Sequence, residues 1–282
     1  MSQAYKATGI NLKSMPLGET DRVLTILTRE YGIVRAVAPG ARKPKAKLGG
    51  RGELFVVNQL LLRSGRSLDK LSQAESLESY PALSRDLAKL TVAQYWSEMI
   101  LQQATGHEPT VALFDRFCHL LTDLANAPLG AASLVHLAHG ILQLLDLGGI
   151  LPQTGRCCLT GQTIQSDTVP GQIIFSPAAG GVVLPSQQTS PDPLDPSSPF
   201  NSRRALTLSS AELVLLQQLI QNLGAELPHC AAAADGKVQE WLNIERALRH
   251  YVQYYTERPI RSAALLESCF SLPSTAVASR FP

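Results

Sequence analysis

The chain has 282 residues, 45% hydrophobic and 17% charged, the balance of an ordered globular protein long enough for two or three domains. Its longest apolar runs, such as residues 141–147, are interrupted by Gln143 and Asp146 and fall far short of the ~20 apolar residues a membrane span needs, which excludes a transmembrane segment. The net charge of +2 hides an asymmetry: residues 1–70 hold 13 Lys or Arg against 5 Asp or Glu, a local +8, and the remainder holds 12 against 18, a local −6. Such an excess can merely solubilise a small domain, but here it concentrates between Arg35 and Arg51, which points to a polyanionic partner. Polar Ser2 and Gln3 with Lys6 precede any apolar run, unlike a secretory signal, and the five cysteines form an odd, mostly scattered set unlike a disulfide framework. Both features predict a cytoplasmic protein.

In chain order, strands are predicted near residues 7–12, at 22–28, at 33–38, at 54–63 and at 68–74, with hairpin breaks at Glu30-Tyr31-Gly32 and Ser64-Gly65-Arg66. Five short antiparallel strands in ~75 residues avoid bare edges by closing into a small barrel of the OB type. From Tyr80-Pro81 the period becomes helical, with Leu83, Leu87, Leu90, Ala93, Tyr95, Trp96, Met99 and Ile100 on one stripe. Helices follow at residues 111–125 and 131–147, ending at Gly148-Gly149. Residues 150–205 are rich in Gly, Pro, Ser and Thr, with strand-like pieces at 172–175 and 181–184 and an irregular stretch at 185–202. Helices resume behind Ser209 or Ser210, either of which can cap a helix to Gln221, and at residues 237–256. The fold class is therefore α+β, with domains at 1–79 (barrel), 80–150 with 203–270 (helical body) and 151–202 (insertion).

The densest chemical feature is Arg35, Arg42, Lys43, Lys45, Lys47 and Arg51, on a strand and on the loop at residues 40–52. Long cationic side chains on a Gly-bearing loop adapt to phosphates along a strand and bind with little sequence preference. Tyr31 and Phe55, the nearby aromatics, read either as core or as stacking platforms. His136 and His139 stand three apart on a helix with no carboxylate or cysteine at ligand spacing, and Gly49-Gly50-Arg51-Gly52 lacks the ending of a phosphate loop. No nucleophile stands in a recognisable context, so a binding protein without catalytic residues or cofactor is expected.

The run Gly18-Glu19-Thr20-Asp21-Arg22-Val23-Leu24-Thr25-Ile26-Leu27-Thr28-Arg29-Glu30-Tyr31-Gly32 resembles the N-terminal signature of the bacterial RecO family. The likeness continues through Val37-Ala38-Pro39-Gly40-Ala41-Arg42, Leu71-Ser72-Gln73-Ala74-Glu75, Phe175-Ser176-Pro177 with Gly180-Gly181-Val182, and Leu248-Arg249-His250-Tyr251. The resemblance implies an OB-fold followed by a helical domain, binding to single- and double-stranded DNA, and annealing of complementary strands in DNA repair and recombination. It also implies partnership with RecR and with single-stranded-DNA-binding protein, whose replacement by RecA such a mediator assists. The acidic, aromatic-ended tail of single-stranded-DNA-binding protein would need a ring pocket edged by cations, for which Arg85, Lys89 and Arg116 are the candidates, beside Leu90, Phe114 and Phe117. The alternative from another class is a structural adaptor whose basic barrel recruits an acidic protein.

The sequence departs from the family in one respect. Many members carry a zinc ribbon with a Cys-x-x-Cys pair before the Phe-Ser-Pro segment and another after Gly-Gly-Val. Here Cys157 is followed by Thr160 where the second ligand would stand, and no cysteine follows Val183 in Leu184-Pro185-Ser186-Gln187. A tetrahedral site cannot be completed, so a ribbon-like insertion without metal is expected, its shape kept by Ile173, Phe175 and Val183. The adjacent Cys157-Cys158 reads as a relic or as a redox pair.

Overall fold

In the computed structural model, which describes residues 3–44, 46, 48–103, 110–164, 172–184, 206–224, 227 and 237–270, the N-terminal alternating runs close into a barrel. Its strands are β1 (Ala4–Leu17), β2 (Asp21–Thr28), β3 (Gly32–Ala38), β4 (Val57–Arg63) and β5 (Asp69–Glu78), in the order β1-β2-β3-β5-β4, with β4 pairing back to β1. Only the β3–β5 pairing is parallel. This is the five-stranded OB-type barrel expected from the alternation. A barrel this small has little interior, and the inward residues match it: Ala7, Ala36, Ala38 and Ala74 leave room for Leu24, Ile26, Val34, Leu60, Leu62 and Leu71.

Two strands differ from the expected bounds. β1 runs well past residue 12, pairing with β4 over its first half and with β2 over its second, and the register shifts between Asn11 and Lys13. That bulge lets one strand turn the corner of the barrel, and it puts Asn11 and Leu12 both inside, which breaks the period-two pattern. β4 starts at Val57, not residue 54, because Phe55 takes a left-handed φ of 61° and buries its ring. Phe55 is core; Tyr31 is 40% exposed and packs edge-on against Tyr5 at 4.8 Å between centroids.

The first compact unit, Met1–Asn126, also holds α1 (Pro81–Ser84), α2 (Leu87–Gln103) and α3 (Val111–Asn126). The stripe expected from Leu83 onward breaks at Asp86, whose Oδ1 accepts the Lys89 backbone N–H at 2.8 Å and starts α2 afresh. The break changes the phase. Leu87 becomes 62% exposed, while Tyr95, Trp96, Met99 and Ile100 remain fully buried. α3 is fastened to the barrel by the Arg29–Asp115 ion pair at 3.0 Å and by the Thr110 hydroxyl donating to the Thr28 carbonyl at 3.1 Å.

The second unit, Ala127–Pro282, is built on α4 (Ala132–Leu147), which is buried on every side from Ala132 to Leu145. α5 (Ser210–Gln221) and α6 (Val238–Thr256) pack on it, and α7 (Leu266–Phe270) follows. Ser209, not Ser210, caps α5: its hydroxyl accepts the Glu212 N–H while Glu212 accepts the Ser209 N–H, a reciprocal capping box. His136 and His139 are both inside α4's packing, with Gln143 bridging His139 to the Leu223 carbonyl. Among the described residues no His, Cys, Asp and Glu gather as a metal site, the described cysteines are all free, and no helix is long and apolar enough to cross a membrane. The Pro-rich stretch at 185–202, Cys230, His107 and His229 lie outside the described residues.

The insertion keeps a ribbon shape. β6 (Ile173–Ser176) pairs with β7 (Gly181–Val183) and, on its other side, with β8 (Leu206–Leu208), a strand too short to announce itself beside the Pro-rich run. Ile173, Phe175 and Val183 are buried, and Phe175 meets the Tyr251 ring at 5.6 Å. Gly181 is obligatory, since a Cβ there would stand 2.1 Å from the Gln153 carbonyl oxygen. The knuckle that would hold a metal is closed around Cys157 instead. Burial pushes its thiol up, but the Thr160 hydroxyl and the backbone N–H groups of Leu184, Thr160 and Leu159 converge on Sγ and hold it below the ordinary thiol value. Thr160, standing where a second ligand would be, thus becomes a partner of the sulfur, and the residues do not fit zinc. Protein purified without added zinc should hold no stoichiometric metal, and a chelator should leave its melting temperature unchanged. About one zinc per chain by elemental analysis would overturn this.

Candidate nucleic-acid interface

The acidic residues inside the basic N-terminal segment serve a local purpose. Asp21 Oδ1 accepts the Gly40 N–H at 2.7 Å and the Thr20 hydroxyl at 2.8 Å, and these bonds, the backbone one first, hold its carboxyl below the usual carboxylate range. Arg42 answers from the other side, donating its backbone N–H to the Thr20 carbonyl and its guanidinium to the Gly18 carbonyl, both at 2.8 Å. The Gly-Glu-Thr-Asp-Arg run is therefore a clasp that ties the β1–β2 loop to the start of the β3–β4 loop. Lys43 and Lys70 both lie close enough to lower Asp21 further, so cations from the β3–β4 loop and from β5 converge on the clasped end of the barrel.

Register then orders the outer face. Lys13 pairs with Thr25 and Thr25 with Arg35, one row across β1, β2 and β3. The next row, about 6.6 Å along the strands, is Met15, Val23, Val37 and Lys70, and Lys70 pairs in turn with Arg63. Lys13, Arg35, Arg63 and Lys70 are all exposed. Among the described residues they form no ion pair, whereas Arg22 is engaged with Glu53 and Arg29 with Asp115. Between the cations lies an apolar strip on which Met15 is 47% exposed. Charged side chains flanking an apolar row can hold phosphates on either side while base faces rest between them.

Of the six residues expected to contact phosphate, Arg35, Arg42 and Lys43 are exposed and belong to this face or its clasped end. Arg51 goes elsewhere, to a groove over β1, β4 and β5, and Lys45 and Lys47 lie outside the described residues. Lys13, Arg63 and Lys70 were missed, being scattered in sequence and united only by strand register. Of the three cations placed beside a ring pocket, Arg85 is exposed and Arg116 half-buried, but Lys89 is a correction. It is 3% exposed and its Nζ donates to the Ala125 carbonyl at 2.9 Å, capping the end of α3 instead of edging a surface site. Phe114 and Phe117 are buried as well.

Comparison with known proteins gives the family. Residues 1–80 match the family described as recombination protein O N terminal, and residues 84–264 match recombination protein O C terminal. The chain is 50% identical to the DNA repair protein RecO of Acaryochloris marina, over 96% of this chain and 97% of that one. It is 46% identical to the DNA repair protein RecO of a Cyanothece species and 42% to that of Nostoc punctiforme, each over 96% of this chain and 98% of the relative. Full-length similarity of this degree, on a closed barrel followed by helices and a ribbon, means that the chain belongs to the RecO family.

Proposed function

We propose that this chain is a recombination mediator acting in DNA repair and recombination in the cytoplasm, one that binds single- and double-stranded DNA and catalyses no reaction of its own. The observation that carries the reading is the exposed set Lys13, Arg35, Arg63 and Lys70 around one apolar strip of the barrel. Cations that neutralise the phosphates of two strands lower the repulsion between them and leave the bases free to pair, which is what annealing requires. On this reading the chain, with RecR, helps RecA replace single-stranded-DNA-binding protein on covered strands. Annealing of complementary oligonucleotides, bare and covered by that protein, tests it. The chain should accelerate both; acceleration of neither rejects the reading, and salt-sensitive binding to acidic proteins with none to DNA would favour an adaptor.

The tail of single-stranded-DNA-binding protein is better served by a cleft of about 790 Å³ at the end of α6 than by Arg85 and Arg116. There Tyr254 and Tyr255 are each 42% exposed beside Arg258, the rings and the cation that an acidic, aromatic-ended peptide needs, with Glu257 as one opposing carboxylate in the same cleft. Arg258→Glu should weaken a fluorescent tail peptide about tenfold. Unaltered binding would return the site to Arg85 and Arg116.

A further inference from the structure

The groove that receives Arg51 lies on the outer surface of β1, β4 and β5, next to the row that carries Arg63 and Lys70 but lined by neither, and has a volume of about 580 Å³. Register places Lys6, Leu61 and Gln73 in one row across its floor and brings Glu75 into the next. Leu48, from the β3–β4 loop, packs with part of its surface on the barrel core and lines the groove with the rest. Three chemistries meet here: an apolar floor of half-buried Leu48 and Leu61, a hydrogen-bonding rim of exposed Gln73 and Glu75, and the cations Lys6 and Arg51.

Each chemistry matches one part of a nucleotide. An apolar floor takes the face of a base, an amide and a carboxylate read its edge, and cations hold the phosphate. The volume suits one such group. An acidic peptide would bring partners for the cations but no planar group for the floor or for the hydrogen-bonding rim. A base in a duplex is stacked on both faces and cannot enter, so the groove distinguishes strands by pairing state. We propose that it receives one unpaired nucleotide of single-stranded DNA, while the face of Lys13, Arg35, Arg63 and Lys70 takes single strands and duplex alike. This inference rests on the reading of the barrel as a DNA-binding domain.

The test uses the full chain with a labelled oligothymidylate and a labelled duplex of the same length. Lys6→Ala with Gln73→Ala should weaken the single strand about tenfold, for the loss of two contacts, and leave the duplex unchanged. Arg35→Glu with Lys70→Glu should weaken both. An oligonucleotide carrying 4-thiothymidine should crosslink, on irradiation, to peptides containing Leu61 or Gln73. Equal loss on both DNAs, or no loss with crosslinks confined to peptides containing Met15, Val23 or Val37, overturns the groove and leaves the DNA-binding reading intact. Failure of the unaltered chain to bind either DNA overturns both.

Discussion

Replacing Arg35 and Lys70 together by glutamate should weaken binding to single strands and duplexes by about a hundredfold. Each side chain stands exposed on the outer face, and each can donate a charge-assisted hydrogen bond to a phosphate, an interaction of about 1.5–3 kcal/mol. Losing two such contacts removes about 3 kcal/mol, or two powers of ten in affinity. Backbone contacts carry no base information, so the loss should be the same for unrelated sequences. Fluorescence anisotropy measures it, and an unchanged circular dichroism spectrum would show that the barrel is intact. A loss below about threefold would mean that these cations are only solvated. The reversal also adds two carboxylates near the clasp. Asp21→Asn is a useful companion, because it weakens the charge-assisted bonds of the clasp while removing a carboxylate from the basic end of the barrel.

Leu24→Ala should destabilise the protein by about 2–5 kcal/mol, the range for truncating a fully buried leucine whose surroundings relax only partly. Leu24 is 0% exposed at the centre of the barrel cluster and lies beneath Gly52, so it supports both the strand carrying Arg22 and the end of the basic loop. The barrel closes on itself and its interior is lined by alanines that have nothing further to give, which limits collapse around a cavity. Chemical denaturation followed by tryptophan fluorescence gives the value. A change under about 1 kcal/mol would mean that the interior is not packed as described.

The sequence made the barrel legible because a half-buried strand alternates, and it made the helical stripe legible because Trp96, Met99 and Ile100 recur at helical spacing. It could not show which cations share a face. Lys13, Arg35 and Lys70 come together through pairing partners many residues away, and the bulge at Leu12 shifts the pattern of β1 at the point where Lys13 must be assigned. The basic loop was conspicuous because its cations are consecutive, yet contiguity in sequence did not keep them together: Arg42 joins the clasp and Arg51 the groove. Lys89 was misjudged for a related reason. The Asp86 cap restarts the helix, and the new phase turns Leu87 outward and Lys89 inward. The loss of zinc ligands was legible residue by residue; the Thr160 hydroxyl on the Cys157 sulfur was not, since it depends on how the knuckle folds.

The salt dependence of DNA binding tests the central claim most directly. If Lys13, Arg35, Arg63 and Lys70 each neutralise one phosphate of a duplex, the logarithm of the affinity should fall against the logarithm of the salt concentration with a slope of about −3 to −4. In the Arg35→Glu, Lys70→Glu variant the slope should be shallower by about 2. A slope near zero for the unaltered chain, or one that the double substitution leaves unchanged, would contradict an interface built on this face of the barrel.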